Sequence, residues 1–155
     1  MPSTRVKEFL DSQHVPYQSI QHPPAYTTQE VAAVTHIPGR EVAKTVLIWI
    51  DGEMTMVVVP ASVRVNLDLL REETGGHRIE LASERDFRDA FPGCEVGAMP
   101  PFGNLYGLRV YVADMLSRDE EIAFNAGTHT EVIRIRYSDF ERLVHPLVVG
   151  VTRVH

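Results

Sequence analysis

The clearest pattern in the chain is a pair of β-rich runs, at 43–50 and 53–59, separated by Asp51-Gly52. An Asp-Gly pair between two such runs is typical of a hairpin with a two-residue turn. The register that this turn sets places Lys44 opposite Val59. Both faces of the hairpin are rich in apolar side chains, which is typical of strands covered on both sides. The pattern therefore predicts a central, buried hairpin with Lys44 at its open end.

Helical periodicity and capping residues appear before and after this hairpin. Val6, Phe9 and Leu10 have the i, i+3, i+4 spacing of one helix face, with Ser3 as the cap, and this helix ends before Pro16. Four later helices are predicted from N-cap residues or capping boxes. They are predicted at 28–35 after Thr27 with Glu30, at 67–74 after Asn66, at 84–91 after Ser83, and from a Ser138–Glu141 capping box to just before Pro146.

Shorter β-rich runs complete the pattern and lie at 17–22, 78–81, 108–113, 122–125 and 132–137. Helices that alternate with strands early and a series of strands later favour an α+β fold. We expect a central mixed β-sheet flanked by helices. The chain has no internal repeat, linker or low-complexity segment, and its length suits one domain. A single domain over 1–155 is therefore predicted.

The charge and cysteine content restrict the class of protein. The formal net charge is −6, which argues against a general nucleic-acid binder because such proteins usually have a basic surface. It does not exclude contact with one end of an RNA through a few local cations. Candidates in the first half of the chain are Arg40, Lys44, Arg64, Arg71 and Arg78. The single cysteine, Cys94, rules out an internal disulfide framework. With no bilayer-length apolar run and no signal-peptide core, we expect a cytoplasmic protein without a membrane partner.

Familiar metal and cofactor motifs are absent from the sequence. The seven histidines have no paired ligand spacing, and there is no C-x-x-C motif. There is also no P-loop, dinucleotide fingerprint or G-x-S-x-G motif. We therefore expect neither a metal site nor a cofactor.

The segment Gly97–Gly103, hereafter the glycine loop, has a glycine at each end, two prolines and no ionisable side chain. Glycines let backbone N–H groups approach a ligand closely, and prolines hold the loop in one shape. Such a loop can present amide dipoles but cannot transfer protons by a side chain. Lys44 and His129 are the side chains that we expect beside it. Each of these features alone is more typical of ordinary structure, such as a surface turn or a lysine with its charge in water.

Taken together and in order, three segments resemble the YbaK/prolyl-tRNA-synthetase editing-domain family. They are Ala43–Leu47, the G-x-x-x-P motif from Gly97 to Pro101 with Phe102-Gly103, and Asn125–His129. The segments 22–30 and 59–67 extend the resemblance over nearly the whole chain. The resemblance implies a free-standing enzyme that hydrolyses mischarged aminoacyl-tRNA, such as proline tRNA carrying Ala, Cys or Ser. Its implied partners are the tRNA acceptor end with its amino acid and a synthetase.

The resemblance also implies roles for individual residues. Lys44 matches the essential lysine of the family, and Gly97 heads the loop whose backbone contacts the ester and the attacking water, so these two are the catalytic candidates. The family uses the 2′-hydroxyl of its substrate, which fits the lack of a side-chain base here. His129 matches a histidine that positions substrate. The substrate-binding candidates, including those chosen for their proximity to these motifs, are Tyr26, Val46, Met99, Pro101, Phe102, Gly127 and His129.

Two other functions stay open from the sequence. One is a non-catalytic binding module of the same fold that associates with a synthetase. The other is a hydrolase of a small ester or amide without RNA, which the net charge of −6 favours. Salt dependence separates these cases because RNA binding weakens steeply as salt rises.

Overall fold

The computed structural model describes residues 5–151 and shows an α+β fold with two β-sheets. The strands are Gln18–Gln21 (β1), Ala43–Ile50 (β2), Glu53–Pro60 (β3), Ile79–Leu81 (β4), Arg109–Ala113 (β5), Glu121–Asn125 (β6), Glu131–Arg136 (β7) and Leu147–Val149 (β8). The α-helices are Arg5–Ser12 (α1), Thr28–Thr35 (α2), Leu67–Thr74 (α3), Glu84–Phe87 (α4), Asp114–Ser117 (α5) and Tyr137–Val144 (α6). None of these helices is long and apolar enough to cross a bilayer.

The predicted hairpin is confirmed, register included. Strands β2 and β3 pair antiparallel with Lys44 opposite Val59. Both turn residues are left-handed, with φ of 50° at Asp51 and 82° at Gly52, as a two-residue hairpin turn of this kind requires. The hairpin also has a hydrophobic cluster on each face. Leu47 belongs to one cluster and Ile48 to the other, so the hairpin is covered on both sides.

The hairpin lies inside a five-stranded mixed sheet with the order β4-β2-β3-β5-β8. A second sheet, antiparallel and with the order β1-β7-β6, was not expected from the sequence. The largest hydrophobic cluster combines side chains from both sheets, such as Leu47 of β2 and Phe124 of β6. A parallel bridge between Val42 and Ala123 joins the two sheets next to the start of β2. The second sheet therefore lies beside the end of β2 that carries Lys44.

Local capping signals account for three helix starts. The Thr27 hydroxyl accepts a hydrogen bond from the Glu30 N–H, and the Glu30 carboxylate accepts one from the Thr27 N–H, both at 3.1 Å. The Asn66 side chain accepts from the Leu69 N–H at 3.0 Å. Ser83 likewise caps α4 with a capping box. All three predicted caps are thus confirmed. Ser3, the predicted cap of α1, lies outside the described residues.

Two predicted helix boundaries are wrong, and burial of one aromatic side chain accounts for each. Helix α4 ends at Phe87 instead of continuing to Phe91, which is buried with its ring 4.6 Å from that of Tyr106. Helix α6 begins at Tyr137, whose ring is buried and whose N–H donates to the Glu120 carbonyl at 2.9 Å. Ser138 therefore lies in the first turn and caps nothing. The predicted capping box at 138–141 does not form.

Candidate functional site

The glycine loop packs against the turn that joins β6 to β7. The Gly127 N–H donates to the Ala98 carbonyl at 3.0 Å, and the Glu95 N–H donates to the Gly127 carbonyl at 2.8 Å. Gly97 and Gly127 both have positive φ, of 85° and 98°, a conformation that glycine adopts without steric strain. Glycines at these two positions let the segments lie side by side. The structure therefore brings together two of the segments that the sequence predicts at the site.

His129 is held between the glycine loop and the segment before α2. Its Nε2 lies 2.8 Å from the Val96 carbonyl oxygen, so Nε2 carries the hydrogen because a carbonyl only accepts. The His129 backbone N–H donates to the Glu95 carboxylate at 2.7 Å. The ring of Tyr26, a residue that is 69% exposed, lies 5.0 Å from the imidazole. The side chains of Tyr26 and His129 thus lie together beside Gly97.

The rest of the glycine loop faces the protein interior. Met99, Pro101 and Phe102 are all buried, while Gly97 is exposed. The Phe102 ring lies 5.3 Å from that of Phe124 in the core. The Met99 thioether accepts a hydrogen bond from the Gly97 N–H at 3.3 Å. The three buried side chains therefore support the loop from inside, and Gly97 is its accessible end.

Lys44 lines a separate cavity of about 270 Å³, hereafter the cation cavity. Its lining consists of Thr27, Thr28, Gln29, Lys44, Ala61, Ser62, Val63 and Arg64. Neighbouring side chains on a strand point to opposite faces of the sheet, so Lys44 points away from the face of Thr45. Thr45 is the residue that contacts the glycine loop, through a hydrogen bond to Met99. Consistently, the described lining of the cation cavity includes no residue of that loop.

The cation cavity holds two positive charges without a counter-charge. Within residues 5–151, neither the ammonium of Lys44 nor the guanidinium of Arg64 makes an ion pair or a hydrogen bond. The cavity lining also contains no carboxylate. Burial lowers the pKa of Lys44, and the positive charge of Arg64 lowers it further. Arg64 is exposed to solvent, so the cost falls mainly on the half-buried Lys44, and an anion bound beside both side chains would relieve it. This arrangement is therefore typical of an anion-binding site.

Val46 lies two residues beyond Lys44 and points to the same face of β2. It lines a second cavity, hereafter the apolar cleft, with Lys44, Arg64, Val65, Leu67 and Leu81. Lys44 and Arg64 thus line both cavities. The other lining residues differ between the two cavities in their chemistry. The cation cavity adds hydroxyl and amide groups, whereas the apolar cleft adds only aliphatic side chains.

The segment 26–29 connects the two parts of the site. Tyr26 packs on His129 beside the glycine loop, and the next residue, Thr27, lines the cation cavity. The structure therefore groups Tyr26, Gly97, Gly127 and His129 on one side and Lys44 with Val46 on the other. It places Phe102 with neither group.

The turn 61–64 belongs to the site, although the sequence analysis named none of its residues as a catalytic or substrate-binding candidate. A signal for it was present, because Lys44 pairs opposite Val59 and the residues after Pro60 must then lie beside Lys44. Glu95, whose carboxylate binds the His129 backbone, had no comparable signal. For metals, the described residues contain no group of three or more histidine, cysteine or acidic side chains that could hold an ion.

The fold is α+β, and comparison with known sequences places the chain in the class of tRNA-editing domains. The chain belongs to the aminoacyl-tRNA editing domain family, whose family model matches residues 22–143. It is 27% identical to the multifunctional Ser/Thr-tRNA deacylase ProXp-y of Escherichia coli K12, over 96% of this chain and 92% of that protein. It is also 34% identical over 86 residues to the proline–tRNA ligase of Staphylococcus saprophyticus, which covers 56% of this chain and 15% of the ligase.

Solved structures agree on the fold. The crystal structure of the hypothetical protein APE2540 superposes with a TM-score of 0.85 at 20% identity, over 96% of this chain and 99% of that one. That of a proposed trans-editing enzyme for prolyl-tRNA synthetase superposes with a TM-score of 0.82 at 19% identity, over 97% and 96%. The predicted fold class is therefore confirmed.

Proposed function

We propose that this protein acts in the cytoplasm as a free-standing editing enzyme, formed by 1–155 as one domain. It hydrolyses the ester that joins a wrong amino acid to the 3′ end of tRNA. The observation that carries this proposal is the pair of unpartnered cations, Lys44 and Arg64, in the cation cavity. The segment Tyr26–Gln29 runs from the lining of this cavity to His129, which lies beside the exposed Gly97. The family to which the chain belongs and the activity in the name of the E. coli relative support it.

Gly97 supplies the electrostatic part of the proposed reaction. Ester hydrolysis develops negative charge on the carbonyl oxygen, and preorganised N–H donors stabilise that charge. The Gly97 N–H now donates to the Met99 thioether. A thioether is a weak acceptor, so turning this N–H from the buried Met99 sulfur towards a developing oxyanion costs little. We therefore assign the Gly97 N–H as a donor to the reacting carbonyl group.

In this proposal Lys44 orients the tRNA 3′ end. A charge-assisted bond from its ammonium to a phosphate near the 3′ end fixes the substrate relative to the glycine loop. The side chains around Gly97 offer no base that water can reach, because the unprotonated Nδ1 of His129 is buried without a hydrogen-bond partner. His129 donates its Nε2 hydrogen to Val96, and the Glu95 carboxylate binds the His129 N–H. We propose that the 2′-hydroxyl of the terminal ribose helps to activate the attacking water.

The lining of the cation cavity bears on which amino acid is removed. Thr27, Thr28 and Ser62 bring hydroxyl groups, and Gln29 brings an amide. Groups of this kind suit a substrate hydroxyl, and the E. coli relative is named a Ser/Thr-tRNA deacylase. We therefore propose seryl and threonyl esters as the first substrates to test, followed by alanyl and cysteinyl esters of proline tRNA. A synthetase that passes on its tRNA is the proposed protein partner, since similar domains occur within proline–tRNA ligases.

The test is a deacylation panel with seryl-, threonyl-, alanyl- and cysteinyl-tRNA and correctly charged prolyl-tRNA. Lys44→Ala is compared with Arg109→Ala, which removes an exposed cation from the far end of the sheet. We expect release of a mischarged amino acid by the wild-type protein and the Arg109 variant but not by the Lys44 variant. Turnover by a folded Lys44→Ala protein would contradict the assigned role. A folded wild-type protein inactive on the whole panel would contradict the proposed function.

A further inference from the structure

Arg64 stands out among the arginines because it shares both cavities with Lys44. It follows β3 in the turn at 61–64, and its side chain lines the cation cavity and the apolar cleft. Its charge lies close enough to that of Lys44 to lower the pKa of that ammonium. Among the described residues it has no acidic partner. One anion between the two side chains would relieve this repulsion.

The side chains that line the apolar cleft indicate which kind of anion binds between Lys44 and Arg64. The aliphatic residues of this cleft are Val46, Val65, Leu67 and Leu81, and Leu81 is 60% exposed. A free phosphate or carboxylate leaves such a surface uncovered. A nucleotide has an anionic phosphate attached to a flat base with an apolar face, so it matches a pair of cations that border an aliphatic cleft.

We infer that Lys44 and Arg64 together hold the phosphate before the terminal adenosine, and that the apolar cleft receives the base of the penultimate nucleotide. This inference rests on the proposed function, which supplies the tRNA 3′ end as ligand. In this arrangement the RNA strand changes direction at the bound phosphate. The terminal ribose and its ester extend into the cation cavity towards Tyr26 and Gly97, and the penultimate base turns the other way towards Leu81. Arg64 is in this view a positioning residue.

Matched variants separate this arrangement from a general effect of charge or hydrophobicity. Arg109 is an exposed arginine on β5 that pairs opposite Thr55 of β3. Thr55 lies four residues along β3 from Val59, the partner of Lys44, which is about 13 Å in a strand. Leu147 is a 52% exposed leucine on β8, at the opposite edge of the sheet from β4 and Leu81. Arg109→Gln and Leu147→Ala are therefore the controls for Arg64→Gln and Leu81→Ala.

The experiment measures binding of an unacylated RNA hairpin with a single-stranded CCA end, by fluorescence anisotropy over a range of salt concentrations. A second RNA lacks the base of the penultimate nucleotide. We expect Arg64→Gln to weaken binding about tenfold, the size of a charge-assisted bond, and to make the log–log salt slope shallower by about 0.7. We expect Leu81→Ala to weaken binding of the intact RNA about threefold and to have little effect with the abasic RNA.

The outcomes distinguish this inference from the proposed function because deacylation is measured separately. Binding that depends on Arg64 and Leu81 in a protein without deacylase activity would support the site and contradict the enzyme. Deacylation together with an Arg64→Gln variant that binds as tightly as Arg109→Gln would overturn the phosphate site and leave the enzyme. A Leu81→Ala variant that matches Leu147→Ala, or an equal loss with the abasic RNA, would overturn the base site. Wild-type protein without salt-sensitive binding would overturn the whole inference.

Discussion

The hydroxyl of Thr45 donates a hydrogen bond to the carbonyl oxygen of Met99 at 3.0 Å. Thr45 directly follows Lys44 on β2, and Met99 lies two residues after Gly97 in the glycine loop. This bond therefore connects the strand that carries the cation to the loop that carries the proposed oxyanion donor. Because the side chains of Lys44 and Thr45 point to opposite faces of the sheet, the two halves of the site meet across the strand.

Removing this connection should affect catalysis more than stability. We expect Thr45→Val to lose about 1 kcal/mol of unfolding free energy, the usual size of one hydrogen bond. We also expect kcat to fall while affinity for unacylated RNA stays the same, because only the relative position of loop and strand is disturbed. The control is Thr55→Val, which removes a hydroxyl–carbonyl bond of 3.2 Å elsewhere in the hairpin. A kcat loss equal in both variants would contradict the prediction.

Lys44 should lower the stability of the free protein. Its charge is half-buried beside Arg64 without an acidic partner. We expect Lys44→Met to raise the free energy of unfolding by up to about 1 kcal/mol while deacylation is lost. Chemical denaturation and the deacylation assay measure the two effects on the same sample. A Lys44→Met protein less stable than the wild type would contradict this prediction, because the ammonium would then stabilise the folded state.

The charge of Lys44 should be lost at a lower pH than that of an ordinary lysine, which titrates at about 10.4. Burial and then Arg64 lower its pKa, so RNA affinity should weaken as the pH rises through this lowered pKa. The chain has two lysines, Lys7 and Lys44, which makes the measurement simple. Reductive ¹³C-methylation and NMR titration give one signal for each lysine and one for the N-terminal amine, and Lys7→Arg and Lys44→Met assign them. A Lys44 signal that titrates at or above the ordinary value would refute this prediction.

The backbone of Gly97 should matter for activity in a way that a similar glycine elsewhere does not. Gly97→Ala places a methyl group 3.5 Å from the His129 ring, an ordinary contact, so the penalty comes from its φ of 85°. We expect a loss of about 1–2 kcal/mol in stability and a large loss of deacylation as the loop shifts. Gly107→Ala is the control, since φ there is 71° with open space around the added methyl. It should lose similar stability and keep its activity.

Glu131 should make stability depend on pH. It is buried and binds Lys7 of α1 at 2.5 Å and the Ser19 hydroxyl of β1. Burial acts to raise the pKa of Glu131, but these partners lower it overall. The stabilisation is therefore present above the ordinary carboxyl pKa and is lost as the pH falls through the lowered value. We expect Glu131→Gln to lose about 1–3 kcal/mol at neutral pH.

Urea denaturation of the wild type and Glu131→Gln from neutral to acidic pH tests this prediction. The difference between the two proteins should shrink towards acid because the wild-type carboxylate is then protonated and loses its charge-assisted bonds. The amide of the variant does not titrate. A difference that stays constant over the whole range would mean that the role of Glu131 is packing, without a contribution from its charge.

Local chemistry was sufficient to predict much of this molecule from its sequence. Asp51-Gly52 set the hairpin register, and Thr27 with Glu30 set the start of α2, because turns and caps depend on residues a few positions apart. The segments resembling the editing family likewise indicated Lys44 and Gly97 as functional. In the same way, strand alternation already placed Lys44 and Thr45 on opposite faces of β2.

Only the tertiary structure decided which parts of the chain meet at each face of the five-stranded sheet. It ended α4 at Phe87, before the buried Phe91, and it started α6 at Tyr137, where burial of the ring outweighs the predicted cap at Ser138. It placed Phe102 in the core and joined Thr45 to Met99. These contacts link residues distant in sequence, so they follow from how the two sheets share one core and not from any local pattern.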